Sequence, residues 1–424
     1  MDFAPLLLYK RFWKISKTTI NQPPVTLKAQ LAKYQQELNQ ELENILDFWK
    51  KFTPDEVNGG FVGKINQENS IDYAAPKGSV LNARILWTFA ASYNLNKDRE
   101  CLLLAGRTFQ YIKDHFIDQE FGGVYWMLDA KGNPLDTKKQ VYAVAFTIYA
   151  LSEYFLASGI EESKTLAISL CNDLMRHSYD QQKGGYFEAF GREWQTLEDL
   201  RLSDKDANEK KTMNTHLHVL EAFTTLYRIW PDEHLKGNII NLLDDFTSKI
   251  INQQTGNLIL FLDEYWNPKS GIVSYGHDIE AAWLLLEAAE AVHDEKLITK
   301  IRALAVQLAR VSLRGIDHDG SLWYEFNPVN NHFIKEKHWW VQAEAMVGFY
   351  NAWQISGDDR FLQTSLRNWE FVKDKIIDHQ NGEWFWGITE TGQIMANEDK
   401  VGPWKCPYHN SRACIELIRR IGVE

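Results

Sequence analysis

Residues 121–128 read FGGVYWML, a pair of glycines followed at once by aromatic side chains. The same kind of stretch returns as NGGFVGKI (58–65), KGGYFEAF (183–190), TGNLILFLD (255–263), DGSLWYEF (319–326) and NGEWFWGI (381–388). Their glycines stand at 59, 122, 184, 256, 320 and 382, so the spacings are 63, 62, 72, 64 and 62 residues. A motif repeated at so constant an interval marks a repeat architecture. The long third interval holds a charged insertion, REWQTLEDLRLSDKDANEKK, residues 192–211.

Between successive glycine segments lie stretches of helical periodicity. Helices are predicted near 27–52, 79–96, 99–116, 139–158, 161–177, 213–229, 233–253, 276–293, 296–313, 337–355, 358–376 and 409–421. Even-numbered ones are apolar and rich in small residues, as in VYAVAFTIYAL. Odd-numbered ones carry charge, as in AQLAKYQQELNQELENIL. An apolar helix belongs inside and a half-charged one outside. Six hairpins of one inner and one outer helix close into an all-α (α/α)6 barrel with short β excursions in the connecting loops. An open solenoid would need polar terminal caps and a longer array. The reading gives an N-terminal extension over 1–24 and a single barrel domain over 25–424.

The chain has 424 residues, with 57 acidic against 46 basic side chains and a net charge of −11. That balance, with no Lys/Arg run, excludes a protein that tracks nucleic-acid phosphates. Cys101, Cys171, Cys406 and Cys414 lack CxxC spacing and read as reduced thiols of a cytoplasmic protein. The opening MDFAPLLLYKRFWK has too short an apolar run for a signal peptide, and no window is read as a membrane span. A monomer or weak homodimer is expected. The 16 Trp, 17 Tyr and 22 Phe are core packing first, but aromatic rings also stack on the C–H faces of sugars.

SYGHDIEAAWLLLEA (274–288) puts His277, Glu280 and Trp283 at the start of an apolar helix, where leucines would serve packing alone. If the inner helices are parallel, equivalent repeat positions meet at one mouth. Counted from its loop glycine, Arg84 lies 25 residues on, Tyr142 20, Phe146 24, His277 21, Trp340 20, Glu344 24 and His409 27. His218, at 34, falls into line once an insertion of about 10 residues is subtracted. Each of these exceptions therefore occupies the first turns of an inner helix.

Histidine is the acid–base group that works near neutrality. Two imidazoles on opposite walls can take a proton from one face of a carbon and return one to the other, while Arg84 stabilises an enolate oxygen. A lone histidine at a helix start is more often structural; three at equivalent positions favour chemistry. Glu280 and Glu344 read equally well as helix N-terminal acids or as a buried ion pair, and Trp340 and Trp404 as core or as platform. His216 shares THLH with His218, but a spacing of two puts them on different faces, so one is structural and the pair is a poor metal site. No cluster with metal-ligand spacing, GxGxxG or GxxxxGK appears, so no cofactor and no metal are expected. A glycoside hydrolase would need opposed carboxylates, for which Glu188, Asp204, Glu280 and Glu344 are candidates, but it leaves the histidines without a task. A non-catalytic sugar-binding protein would need the aromatics alone.

In LNARILWTF, GGVYWMLD, VYAVAFTIYALSEY, KTMNTHLHVLEA, SYGHDIEAAWLL, WWVQAEAMVGF and GPWKCPYHNSR the chain resembles the N-acylglucosamine 2-epimerase family, and within it the cellobiose 2-epimerases. The resemblance runs from about residue 27 to the end. It implies an (α/α)6 barrel and a cofactor-independent isomerase that inverts C2 of a reducing mono- or disaccharide through its open-chain aldehyde. Cellobiose would become 4-O-β-D-glucosyl-D-mannose; D-mannose/D-glucose or N-acylglucosamine 2-epimerisation is the alternative. Residue by residue, His277 and His409 match the acid–base pair that works through a cis-enediolate. His218 matches the histidine near O1 and O2, and Arg84 the arginine on the intermediate. Tyr142, Asn214, Glu280 and Glu344 match sugar-contacting positions, Trp340 and Trp404 aromatic walls, and Phe146 a pocket aromatic. Asp204, from the insertion, and Trp283 are added as candidate substrate contacts. Ser411 departs from the family, which usually carries Gly after His-Asn. The short segment NPKSGIV (267–273) leans towards disaccharides.

Overall fold

The computed structural model describes residues 26–422. The extension expected over 1–24 lies outside them. Among the described residues there are twelve α-helices. The outer ones are α1 (Leu27–Phe52), α3 (Arg99–Tyr111), α5 (Glu161–His177), α7 (Glu233–Asp245), α9 (Glu295–Ser312) and α11 (Asp359–Phe371). Inside lie α2 (Ser79–Asn96), α4 (Val141–Ser158), α6 (Met213–Ile229), α8 (Tyr275–Ala291), α10 (Trp339–Ser356) and α12 (Tyr408–Ile421). Each inner helix packs on the next, and α12 returns to α2, so the six form a closed ring.

Burial follows composition. From Ser79 to Ser92 every residue of α2 is buried, as is every residue of α4 from Val141 to Tyr154. The outer helices bury a single stripe, such as Leu31, Leu38, Leu42, Ile45 and Trp49 of α1. By length and hydropathy alone the 18 residues of α4 would suit a membrane span, yet 78% of them are buried inside the barrel. An inner barrel helix is apolar all round because helices surround it.

Two kinds of connection alternate. Inner helices pass to outer ones through tight turns, with Lys97, Gly159 and Gly357 left-handed at the caps of α2, α4 and α10. Outer helices return through the glycine segments, all at one end of the barrel. There, short antiparallel strands knit each repeat to its neighbour: Lys77 faces Leu128, Lys139 Phe190, Lys211 Leu262, Val273 Phe326 and Lys337 Ile388. A bridge between Ile65 and Val401 closes this ring too. That contact, with α1 packed on α12, rules out an open solenoid.

An ion pair fastens most glycine segments, and in four of the five both side chains are buried. Lys77–Asp55, Lys139–Asp118, Lys211–Asp180 (each 2.8 Å), Lys337–Asp317 (3.0 Å) and Lys400–Asp378 (2.6 Å) tie strand to loop. The same aspartates accept backbone N–H groups of the turn, as Asp180 does from Gln182 and Lys183. In the fourth repeat both charges are absent: Asn252 replaces the aspartate, still accepts from Gln254 and Thr255, and Val273 stands where lysine would. Losing both partners avoids the cost of one unpaired buried charge.

Gly185 has φ +77°, and a Cβ there would lie 2.5 Å from the Trp266 ring and 2.7 Å from His216 Nε2. Gly185→Ala is expected to lower unfolding free energy by roughly 1–3 kcal/mol. Denaturant titration checks this, and an unchanged midpoint would contradict it.

Candidate active site

All inner helices start at the glycine-segment end, so their first turns line one mouth. At the second or third position stand Tyr142, Asn214, His277, Trp340 and His409. One turn deeper, at the fifth or sixth, are Arg84, Phe146, His218, Glu280, Glu344 and Arg412. The two tiers are about 6 Å apart along the helix axes. They surround a cavity of about 480 Å3, onto which Arg84, Tyr142, Asn214, His218, His277, Glu280, Trp340, Trp404 and His409 open. Asp204 reaches it from the insertion with Ser203, Lys205 and Asp206, so residues 192–211 cover part of the mouth.

His409, His218 and His277 are each anchored through Nδ1. His409 Nδ1 bonds Glu344 Oε1 at 2.7 Å, His218 Nδ1 bonds Glu221 Oε2 at 2.8 Å, and His277 Nδ1 bonds Ser274 Oγ at 2.8 Å. An ionised carboxylate only accepts, so Nδ1 of His409 and His218 carries the proton and Nε2 keeps its lone pair. Burial pushes His277 and His409 down to about 3, with Glu344 opposing the shift at both. Burial also lowers His218, against the pull of Glu221. All three are therefore neutral near pH 7. Trp340 packs against both His277 and His409, with ring centres 4.8 and 5.8 Å away, so the two imidazoles can be no farther apart than those distances together.

The two buried arginines differ sharply. Arg84, 3% exposed, has no carboxylate partner among the described residues. Nη2 donates to Tyr142 Oη at 2.8 Å, Nη1 meets Cys406 Sγ at 3.7 Å, and Nε has no partner among the described residues. Its guanidinium lies over the rings of Phe146 (4.2 Å) and Tyr408 (4.9 Å). Arg412 instead bonds Glu221, Glu280 and Glu344. Burial raises Glu280, and neighbouring Glu344 raises it further; Arg412 and His409 overcome burial and hold Glu344 down. Glu280, Glu344 and His409 bring their ligand atoms within 4.8 Å of one another, a spacing that suits a metal ion. The Arg412 guanidinium already meets both carboxylates, at 2.7 and 2.6 Å.

Three residues singled out in the sequence stand behind the wall. Phe146 lies beneath Tyr142 and His218, with ring centres 5.0 and 4.6 Å away. Trp283 donates to Glu344 Oε2 at 3.0 Å, and Glu344 holds His409 instead of facing the cavity. Glu188 is taken up by the Thr212 amide and by the Thr212 and Thr215 hydroxyls at the start of α6. With Glu280 and Glu344 both on Arg412, no free opposed carboxylate pair remains among the four candidates. His216 is structural: Nδ1 donates to Thr212 O at 2.6 Å and Nε2 accepts the Tyr186 amide at 2.9 Å.

Sequence reasoning missed Tyr324, His338, Trp339, Trp386 and Glu398 on the cavity wall. A signal existed. Four residues past each loop glycine stand Gly63, Trp126, Glu188, Leu260, Tyr324 and Trp386, and Tyr324 and Trp386 face the cavity. Trp126 packs 5.7 Å from Trp404.

His216 also makes stability depend on pH. Burial lowers its pKa to about 4 from the usual 6.5. Above pH 6.5 neither state binds the proton. Between 6.5 and 4 only the unfolded chain does, so stability falls as the solution is acidified, by up to about tenfold in the folding equilibrium per pH unit. His216→Gln is expected to flatten that slope in denaturant titrations from pH 7 to 4; a slope equal to wild type would contradict it.

Fold and site together define a helical-barrel protein whose inner-helix starts line one cavity with neutral histidines and a buried arginine. The sequence pattern of the N-acylglucosamine 2-epimerase (GlcNAc 2-epimerase) family matches residues 59–413. Cellobiose 2-epimerase of Bacteroides fragilis is 48% identical over 384 residues, 90% of this chain and 98% of the relative. That of Ruminococcus albus is 40% identical over 386 residues, 91% and 98% of the two chains. The solved cellobiose 2-epimerase of Spirochaeta thermophila superposes with a TM-score of 0.89 at 37% identity, covering 94% of this chain and 99% of that one. The chain belongs to the N-acylglucosamine 2-epimerase family. It is a carbohydrate 2-epimerase, an isomerase.

Proposed function

We propose that this enzyme inverts C2 of the reducing-end glucose of cellobiose-type β-1,4-disaccharides, turning cellobiose into 4-O-β-D-glucosyl-D-mannose, by two-histidine proton transfer. One observation carries the mechanism: among the described residues, imidazoles anchored through Nδ1 with free Nε2 atoms share a cavity with an arginine that has no anionic partner. On the open-chain aldehyde, one Nε2 takes the C2 proton. The C–H electron pair becomes the C1–C2 double bond, and the carbonyl pair moves to O1, giving a cis-enediolate. The second imidazole, neutral at rest, takes up a proton from solvent and delivers it to the opposite face of C2; the aldehyde re-forms, and the first imidazole releases the proton it took to solvent. His409, bonded to a carboxylate, carries positive charge more readily than His277, bonded to a hydroxyl. Arg84 and the Tyr142 hydroxyl supply charge and donor for the enediolate oxygens. Trp340 and Trp404 offer faces for the two sugar rings.

The names of the curated relatives support the disaccharide, and the four free, buried cysteines support work in a reducing cytoplasm. Incubation with cellobiose in D2O, followed by NMR, tests the reading. A mannose-type reducing end carrying deuterium at C2 is expected. Free glucose would mean hydrolysis, unchanged sugar would mean binding alone, and turnover of only mannose or N-acylglucosamine would move the substrate assignment.

A further inference from the structure

Below the cavity floor, Arg412 is 1% exposed and makes no wall of its own. Its Nη1 reaches Glu221 of α6 and the Tyr408 hydroxyl. Nη2 donates to Glu280 of α8 at 2.7 Å and to Glu344 of α10 at 2.6 Å. Two of these carboxylates are the anchors of cavity histidines: Glu221 holds His218, and Glu344 holds His409. One guanidinium thus joins, through one carboxylate each, imidazoles of α6 and α12. Tyr408 tightens the first arm by donating to Glu221 Oε1 at 2.5 Å, and Trp283 the second through its bond to Glu344.

We propose that Arg412 is a shared positioning residue: its fork keeps Glu221 and Glu344 ionised and fixed, so that His218 and His409 both hold a proton on Nδ1 and present Nε2 to the sugar. The physical reason is the direction of each hydrogen bond. A buried carboxylate without a cation takes up a proton. A protonated carboxyl donates to Nδ1, which moves the ring proton to Nε2 and removes the lone pair from the cavity. An imidazole in the wrong tautomer is a poor base even when every atom stays in place. Lysine is no substitute, since a single ammonium cannot span three carboxylates as a planar fork does.

This inference rests on the histidine chemistry proposed above, and its test is readable without turnover. In histidine-15N-labelled wild-type protein, NMR is expected to find His218 and His409 as Nδ1–H tautomers. In Arg412→Lys at least one is expected to shift to Nε2–H. Its kcat is expected to fall on the order of hundredfold or more, with KM within about threefold. An Nε2–H form of either residue in the wild type would overturn the proposal even if the variant does not fold. So would a folded Arg412→Lys that keeps both tautomers, whatever its kcat. If cellobiose is not the substrate, turnover fails in wild type and variant alike, while the tautomers still decide the role of Arg412.

Discussion

His277→Ala and His409→Ala are each expected to lower kcat/KM for cellobiose epimerisation on the order of 10³-fold or more, because each removes one of the two groups that exchange a proton with C2. Neither should unfold the protein. His277 leaves behind only the Ser274 hydroxyl, and His409 leaves Glu344 still bonded to Arg412 and Trp283. The loss should therefore come with a thermal midpoint close to wild type. Steady-state kinetics with a thermal melt checks both halves, and a folded variant that turns over at the wild-type rate would remove that histidine from the chemistry.

Arg84→Met should cost on the order of 10²–10³ in kcat, the usual loss when a donor to a developing oxyanion is removed. Its effect on stability should be small or favourable. Most buried ion-pair partners cannot be removed without stranding a charge, but among the described residues Arg84 has no carboxylate to strand. Methionine fills a similar volume against Phe146 and Tyr408. Such a trade of stability for function is expected where a charge is kept for an intermediate that exists only during turnover. Equal kcat in the variant would contradict the assignment, and so would a large fall in its melting temperature.

Much of the barrel was legible because the repeat spells it out. A constant interval between glycine segments and the contrast of VYAVAFTIYAL with AQLAKYQQELNQELENIL led to twelve helices in two rings. Offsets from the loop glycine placed Tyr142, His277 and Trp340 at one mouth, since equivalent positions of parallel helices end at equal depth. Which side chains turn away from the mouth was not legible. Glu344 stands at the same depth as His218 and Glu280, which open onto the cavity, yet it bonds His409, Arg412 and Trp283 instead. Arg412 was invisible because its meaning lies in three carboxylates from three helices far apart in sequence. The lysine–aspartate fasteners went unread for a similar reason, although the joint absence of both charges at Asn252 and Val273 was a trace within one chain.

The most direct test of the two-sided chemistry is hydrogen exchange without inversion. In D2O, His277→Ala and His409→Ala each retain one base, so each should wash deuterium into C2 of one epimer only. The two variants should act on opposite epimers. Exchange of the same epimer by both variants, or inversion by either, would contradict a pair of imidazoles facing C2 from opposite sides.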